Sequence, residues 1–152
     1  MIGRLVQKAD FERALASPVR SRSAHFAVHH VAAGPTPPCR PAKEPPLSEL
    51  STDPAPNCPQ LVDDTPSGHW IGCVVPKRHA RRAVTRSLLK RQIRGMFGQH
   101  ASHLPAGQWL VRLRQPFAAA KFVSASSEAL RCAAREELDG LLARAAAAGA
   151  RG

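Results

Sequence analysis

Fixed positive charge is concentrated in one stretch of this 152-residue chain. The window from Thr65 to Ser127 contains eleven Lys or Arg residues and no Asp or Glu, so the whole formal excess of +11 lies there. A surface that serves only solubility mixes both signs, whereas a concentrated field of one sign costs self-repulsion and normally has a partner. The chemistry predicted for this stretch is therefore the binding of a polyanion.

The densest part of this window predicts a helix with one apolar side and one basic side. At about 100° per residue, Leu89, Ile93 and Met96 fall on a single stripe that can pack on a sheet. The cations of this helix lie opposite the stripe or at its margins: Arg86, Lys90, Arg91 and Arg94. A solvated surface is the ordinary explanation of such a run, but the missing acids favour phosphate binding.

Residues able to break bonds are not arranged for that purpose in the sequence. There is no Ser/His/Asp spacing, no glycine-rich phosphate loop and no acidic cluster for two metals. His25, His29 and His30 lie close together, but no carboxylate or Cys stands at ligand spacing, so no metal site is predicted. The four cysteines form no CxxC pair, which favours reduced thiols. The basic block thus predicts binding rather than catalysis.

The remaining patterns predict a frame for the basic helix. A short helix is expected at Lys8–Ala16 and a packing helix at Ser124–Ala148, whose polar face mixes signs. Strands are expected at 24–31, 69–75 and 109–113, with a weaker one at 19–22, and the basic helix at 82–97. Gly72 indicates a close backbone approach. We expect an α+β two-layer sandwich, a mixed four-stranded sheet with helices on one face, in the order αβββαβα.

Residues 33–68 differ in composition from the rest of the chain. Ten of these 36 residues are Pro, and acids outnumber bases by five to two. Such a segment buries too little apolar surface to offset its ordering entropy. We predict one domain, residues 1–152, with 33–68 as a disordered insertion between two strands that pair with each other as a hairpin.

The basic stretch resembles the signature of the bacterial ribonuclease P protein subunit. In that family a strand ending in a basic pair leads into a helix that carries Arg-Asn-Arg, then Lys-Arg, then Arg one turn later. Here the pair is Lys77-Arg78, and the helical cations fall at matching spacing. The Asn and second Arg of the signature are Ser87 and Leu88. Ser87 keeps a hydrogen-bonding group, whereas Leu88 lacks a charge at a position expected to flank the basic face.

The resemblance implies both a fold and a set of RNA contacts. The fold would be one shared with a ribosomal-protein domain, with a left-handed crossover. The residues expected to bind the catalytic RNA are Lys77, Arg78, Arg81, Arg82, Arg86, Ser87, Lys90, Arg91 and Arg94. Those expected to hold the single-stranded 5′ leader of precursor tRNA are Phe11, Phe26, His25 and His29.

The resemblance also implies which functions belong to the protein and which to the RNA. Mg²⁺ held mainly by the RNA subunit would support hydrolysis at the 5′ end of precursor tRNA. The protein would have no catalytic residues, metal ligands or organic cofactor, and would bind as one protein per RNA. The first residues do not resemble a signal peptide and no apolar run could span a bilayer, so a cytoplasmic protein is expected, without a membrane partner.

Two other functions fit the same basic helix. One is a general or ribosome-associated RNA-binding protein of the same fold with no role in tRNA processing. The other is a DNA-binding module, which is less favoured because a helix with a strand on each side is poorly presented to a major groove.

Overall fold

The structure, a computed structural model, describes residues 2–36, 66–118 and 127–149. The strands are β1 (Ile2–Arg4), β2 (Val19–Arg22), β3 (Phe26–Val31), β4 (His69–Val74) and β5 (Gly107–Leu113). The helices are α1 (Lys8–Ala16), α2 (Ala83–His100), followed by a 3-10 turn at Ala101–His103, and α3 (Glu128–Gly149). Residues 37–65, most of the predicted insertion, lie outside the described residues, so their disorder stays a prediction.

The strands form one mixed sheet in the order β1-β4-β5-β3-β2. The predicted α+β sandwich is confirmed, and the weakly indicated strand at 19–22 is present. The sheet has five strands rather than four, because β1 pairs in parallel with β4. At three residues, β1 is too short to show the alternation by which strands are recognised in a sequence.

The predicted hairpin between β3 and β4 is wrong. Strand β5 lies between them, and its Val111 is paired with Val28 on one side and with Cys73 on the other. The pairing of β3 with β5 is antiparallel and that of β4 with β5 is parallel. As the central strand, β5 has its two faces covered, which accounts for the burial of six of its seven residues. Strands β3 and β4 are consecutive in the chain, but β5, which comes later in the chain, lies between them in the sheet.

Helices α2 and α3 cover one face of the sheet. The apolar stripe of α2 is buried as expected, with Leu89 and Ile93 both 0% exposed. They belong to one core with Trp109, Val111 and other apolar residues of the sheet and α3. Burying a side chain of this size contributes about 1.5–3 kcal/mol. The basic residues of α2 consequently lie outside this buried stripe.

Helix α1 lies on the opposite face, so the expectation of helices on one face only is wrong. Successive strand residues point to opposite faces, and Leu110 faces α1 while Val111 faces the core. Gly72 shows the predicted close approach: a Cβ there would lie 2.9 Å from both Leu110 Cδ1 and Phe11 Cε1. The alternation of β5 allows apolar layers on both sides. In the described parts of the chain, no helix has the length and apolar character to cross a membrane.

Candidate nucleic-acid interface

A loop between β4 and α2 presents the first four cations. Its shape is set by Pro76, whose carbonyl oxygen accepts hydrogen bonds from the backbone N–H groups of His79 and Ala80, each at 3.1 Å. The Ala80 side chain is buried in the core and anchors the loop. The exposed cations of the loop are Lys77, Arg78, Arg81 and Arg82. The loop is therefore a fixed turn whose charged side chains face solvent.

Arg86 joins this loop to α2. Its Nη1 donates to the carbonyl oxygen of Ala80 at 2.9 Å and to that of Arg81 at 2.7 Å. Charged donors make stronger hydrogen bonds than neutral ones. Arg86, which the sequence assigned to RNA contact alone, thus also shapes the surface that its neighbours form.

The cations Lys90 and Arg94 continue from Arg86 at four-residue spacing, which places the three in one row along α2. Lys90 and Arg94 both lie close enough to the Cys73 thiol of β4 for their charges to act on it. Burial raises the pKa of Cys73, and the positive charges of Arg94, Lys90 and Arg4 oppose that rise. Arg4 joins the basic surface from β1, which the sequence did not predict as a strand.

A second row on α2 faces α3. Ser87 and Arg91 line a groove of about 770 Å³, together with Arg131 and Arg135 of α3. Leu88 also lines this groove, but it is only 7% exposed and belongs to the apolar core as well.

The basic surface is not neutralised within the described residues. The ion pairs found there involve Lys8, Arg13, Arg131 and two histidines, and none includes a Lys or Arg of the β4–α2 loop or of α2. Among those same residues, no three His, Cys, Asp or Glu side chains come together as metal ligands. The feature that the site offers is fixed positive charge.

The residues expected to hold a leader are separated by the fold. Phe11 is partly buried on the α1 face, against Gly72. His29 is on that same face but only 4% exposed, under the end of α1, where its Nδ1 lies 3.0 Å from the Ser17 carbonyl oxygen. Phe11 alone keeps both the position and the exposure that leader contact requires.

Phe26 and His25 were predicted to contact the leader, but the structure places both toward α3 and away from Phe11. Phe26 is 0% exposed in the core beneath α2 and α3, so it presents no surface to a base. His25 Nδ1 lies 2.7 Å from Glu137 Oε2 of α3, and its ring stacks on Phe117 at 4.1 Å. It precedes β3 and does not follow the strand alternation. Tertiary contacts with α3, invisible in a local pattern, decide its position.

Two arginines on the α1 face were missed as site residues. The pairing register aligns Arg22 of β2, Ala27 of β3, Arg112 of β5 and Val74 of β4 in one row across the sheet. This row lies two residues further along the strands than the row containing Gly72, so it faces the same side of the sheet. Arg22 is exposed and Arg112 is partly buried. The even spacing of Arg112 from Leu110 is a signal in the sequence that could have placed it there.

Comparisons with known proteins agree with this geometry. The Ribonuclease P family model matches residues 3–137. The "Ribonuclease P protein component" of Bordetella parapertussis is 42% identical over 85 residues, 56% of this chain and 65% of that protein. The protein of the same name from Paraburkholderia xenovorans is 37% identical over 88 residues, 57% of this chain and 63% of that protein. The chain thus matches somewhat less than two thirds of the length of these curated relatives.

A solved structure supports the fold alone. The RNase P protein of Staphylococcus aureus superposes with a TM-score of 0.56 over 92% of each chain, at 20% identity.

Proposed function

Because the chain belongs to the ribonuclease P protein family, we propose that it is the protein subunit of ribonuclease P and assists removal of the 5′ leader from precursor tRNA. Its partners are the catalytic RNA, bound as one protein per RNA, and the precursor tRNA. Mg²⁺ held mainly by the RNA would support hydrolysis of the phosphodiester bond. The chain itself contributes binding and charge.

The single-sign surface of the β4–α2 loop and α2 carries this proposal. Its cations neutralise phosphates of the catalytic RNA and reduce repulsion between that RNA and its substrate. Each neutralised phosphate releases counterions, so about six contacts give a slope of about −4 to −5 in log affinity against log salt. A slope near zero would remove the electrostatic basis of the proposal.

The leader is proposed to lie on the α1 face of the sheet. Phe11 is partly exposed, and Arg22 and Arg112 lie on the same face. Single strands are held by this combination of stacking and positive charge. These features support the proposal that a leader strand lies beside α1, with the catalytic RNA on α2 at the other side of the sheet.

The test is processing of precursor tRNA by the cognate catalytic RNA at low Mg²⁺, with and without the protein. We expect the protein to accelerate cleavage, and the double variant Lys90→Ala with Arg94→Ala to lose most of that effect. The matched control is Lys8→Ala with Arg144→Ala, which removes two exposed cations outside α2 and the loop.

Two outcomes of this assay would contradict the proposal. Processing that is no faster than with RNA alone means that the chain is not this subunit. If the chain still binds RNA with a steep salt dependence, the general RNA-binding function of the same fold takes its place. Equal losses in the two double variants would mean that the α2 surface has no special part.

A further inference from the structure

The groove between α2 and α3 has a lining that packing alone does not explain. Three guanidinium groups from two helices border it, those of Arg91, Arg131 and Arg135, and its lining includes no carboxylate. We propose that this groove holds a segment of the sugar-phosphate backbone of the catalytic RNA. This inference rests on the proposed function and extends the RNA surface to α3, which the sequence predicts to be a packing helix.

The guanidinium groups of α3 are available to a ligand. Arg135 is exposed. Arg131 is 40% exposed and its Nη1 lies 3.3 Å from Oε2 of Glu128, which is 78% exposed. An exposed pair of this kind contributes little stability, so a phosphate can replace the carboxylate. Arginine suits that exchange because its planar fork matches phosphate oxygens in a bidentate manner.

The shape of the groove fits a chain better than a single ion. Its volume of about 770 Å³ is that of a pocket for a whole organic ligand, about 300–1,000 Å³. Val84 on its wall is 55% exposed, and no heavy atom lies within 4 Å of the place where Gly95 would carry a Cβ. These apolar and open positions leave room for sugars between the charged groups.

Continuity with α2 identifies the occupant. Ser87 and Arg91 belong at once to the groove and to the basic helix proposed to bind the catalytic RNA. A strand lying along α2 therefore enters the groove without crossing an acidic surface. No acid of α3 is in the groove lining; Glu128 pairs with Arg131, and Oδ1 of Asp139 lies 2.7 Å from His100 Nε2.

A matched pair of α3 variants tests the inference. Arg135→Gln removes an exposed arginine that lines the groove, and Arg144→Gln removes one on the same helix that does not line it. Affinity for the catalytic RNA is measured over a range of salt, with thermal unfolding as a check on folding. We expect Arg135→Gln to weaken binding about two- to fivefold, the range for an exposed ionic contact. Its salt slope should be shallower by about 0.7–0.9, while Arg144→Gln resembles the wild type.

A second variant, Arg131→Gln with Arg135→Gln, should weaken binding about four- to 25-fold, because the two free-energy losses add. Its salt slope should be shallower by about 1.4–1.8. The inference is overturned if Arg135→Gln binds like Arg144→Gln while Lys90→Ala with Arg94→Ala still weakens binding; the proposed function would then stand. It is also overturned if the groove variants weaken binding of precursor tRNA and leave catalytic RNA unaffected. Failure of the wild type to accelerate processing would instead reject the proposed function itself.

Discussion

Arg86 Nη1 donates a hydrogen bond to the carbonyl oxygen of Arg81 at 2.7 Å. One cation of the basic surface thereby holds the backbone of another. The same nitrogen also bonds the Ala80 carbonyl oxygen at 2.9 Å, so the loop and α2 act as one unit. Arginines of a binding surface can therefore differ in kind, some contacting a ligand and others arranging those contacts.

Replacing Arg86 by Ala should destabilise the protein more than replacing Arg94 by Ala. Arg86→Ala removes the two bonds to the loop and should lower the free energy of unfolding by about 1–2 kcal/mol. Arg94→Ala removes an exposed side chain whose bond to the Cys73 thiol is weak, and it should change the free energy of unfolding by less than about 0.5 kcal/mol. Denaturant unfolding of both variants measures this. Equal stability would show that the loop does not depend on Arg86.

Glu137 should make the stability of the protein depend on pH. Burial alone would raise the pKa of Glu137, but hydrogen bonds from Ser23 and from the backbone and ring of His25 outweigh it and lower that pKa. The ionised form is thus favoured by folding. Its contribution is fully present above the ordinary Glu pKa of about 4.3 and is lost as pH falls through the lower folded value.

Replacing Glu137 by Gln tests this dependence. Glu137→Gln should cost about 1–3 kcal/mol at neutral pH and make the acid loss of stability less steep. Glu136→Gln, an exposed neighbour on α3, is the control and should keep the steep profile. Parallel pH profiles for the wild type and Glu137→Gln would refute the role given to the carboxylate.

Asp10 ties α1 to the sheet and to the residues after β3. Its Oδ1 accepts a hydrogen bond from Gln108 Nε2 at 3.2 Å and another from Thr36 Oγ1 at 2.6 Å, and its side chain is 1% exposed. Asp10→Asn should therefore lower stability by about 1–3 kcal/mol, measured by thermal unfolding. Glu12→Gln, exposed on the same helix, should be nearly neutral. Similar melting temperatures for the two variants would contradict this assignment.

Gly72 should not tolerate a side chain. A Cβ there would meet Leu110 and Phe11 at 2.9 Å, so Gly72→Ala should cost about 1–3 kcal/mol through overpacking. Gly140→Ala in α3 meets nothing within 4 Å and should add up to about 1 kcal/mol of helix stability. Chemical denaturation of the pair measures the contrast, and a stabilised Gly72→Ala would disprove the close packing of α1.

Arg112 should matter only when a leader is present. Arg112→Gln is expected to weaken binding of precursor tRNA to the protein–RNA complex about two- to fivefold and to leave binding of tRNA without a leader unchanged. Titration of the two RNAs at one salt concentration measures the difference. Equal weakening for both RNAs would place Arg112 outside the leader path.

The residues predicted to hold the leader show why local sequence patterns do not determine which side chains are exposed. Alternation correctly put Phe26 and His29 on opposite faces of one strand, but it did not say which face would be covered. Phe26 lies beneath α2 and α3, and His29 lies beneath the end of α1. Exposure depends on elements that are distant in the chain, so it could not be derived from β3 itself.

The pairing of the strands could not be derived from local patterns either. The strands before and after residues 33–68 were predicted as neighbours, yet β5 inserted between them. Backbone hydrogen-bonding groups are the same at every position, so the residues of one strand do not determine which strand pairs with it. What selects the partner is the burial of side chains across the whole sheet.

The sequence by itself determined the class of fold and the helix that bears the charge, and it predicted a polyanionic partner. These follow from periodicity and from charge that no nearby acid offsets, both of which are properties of neighbouring residues. Only the tertiary structure decided that Arg86 holds the loop, that α1 covers the second face, and that Arg131 and Arg135 join Arg91 across a groove. Those relationships link residues far apart in the chain, and packing of the core is what brings them together.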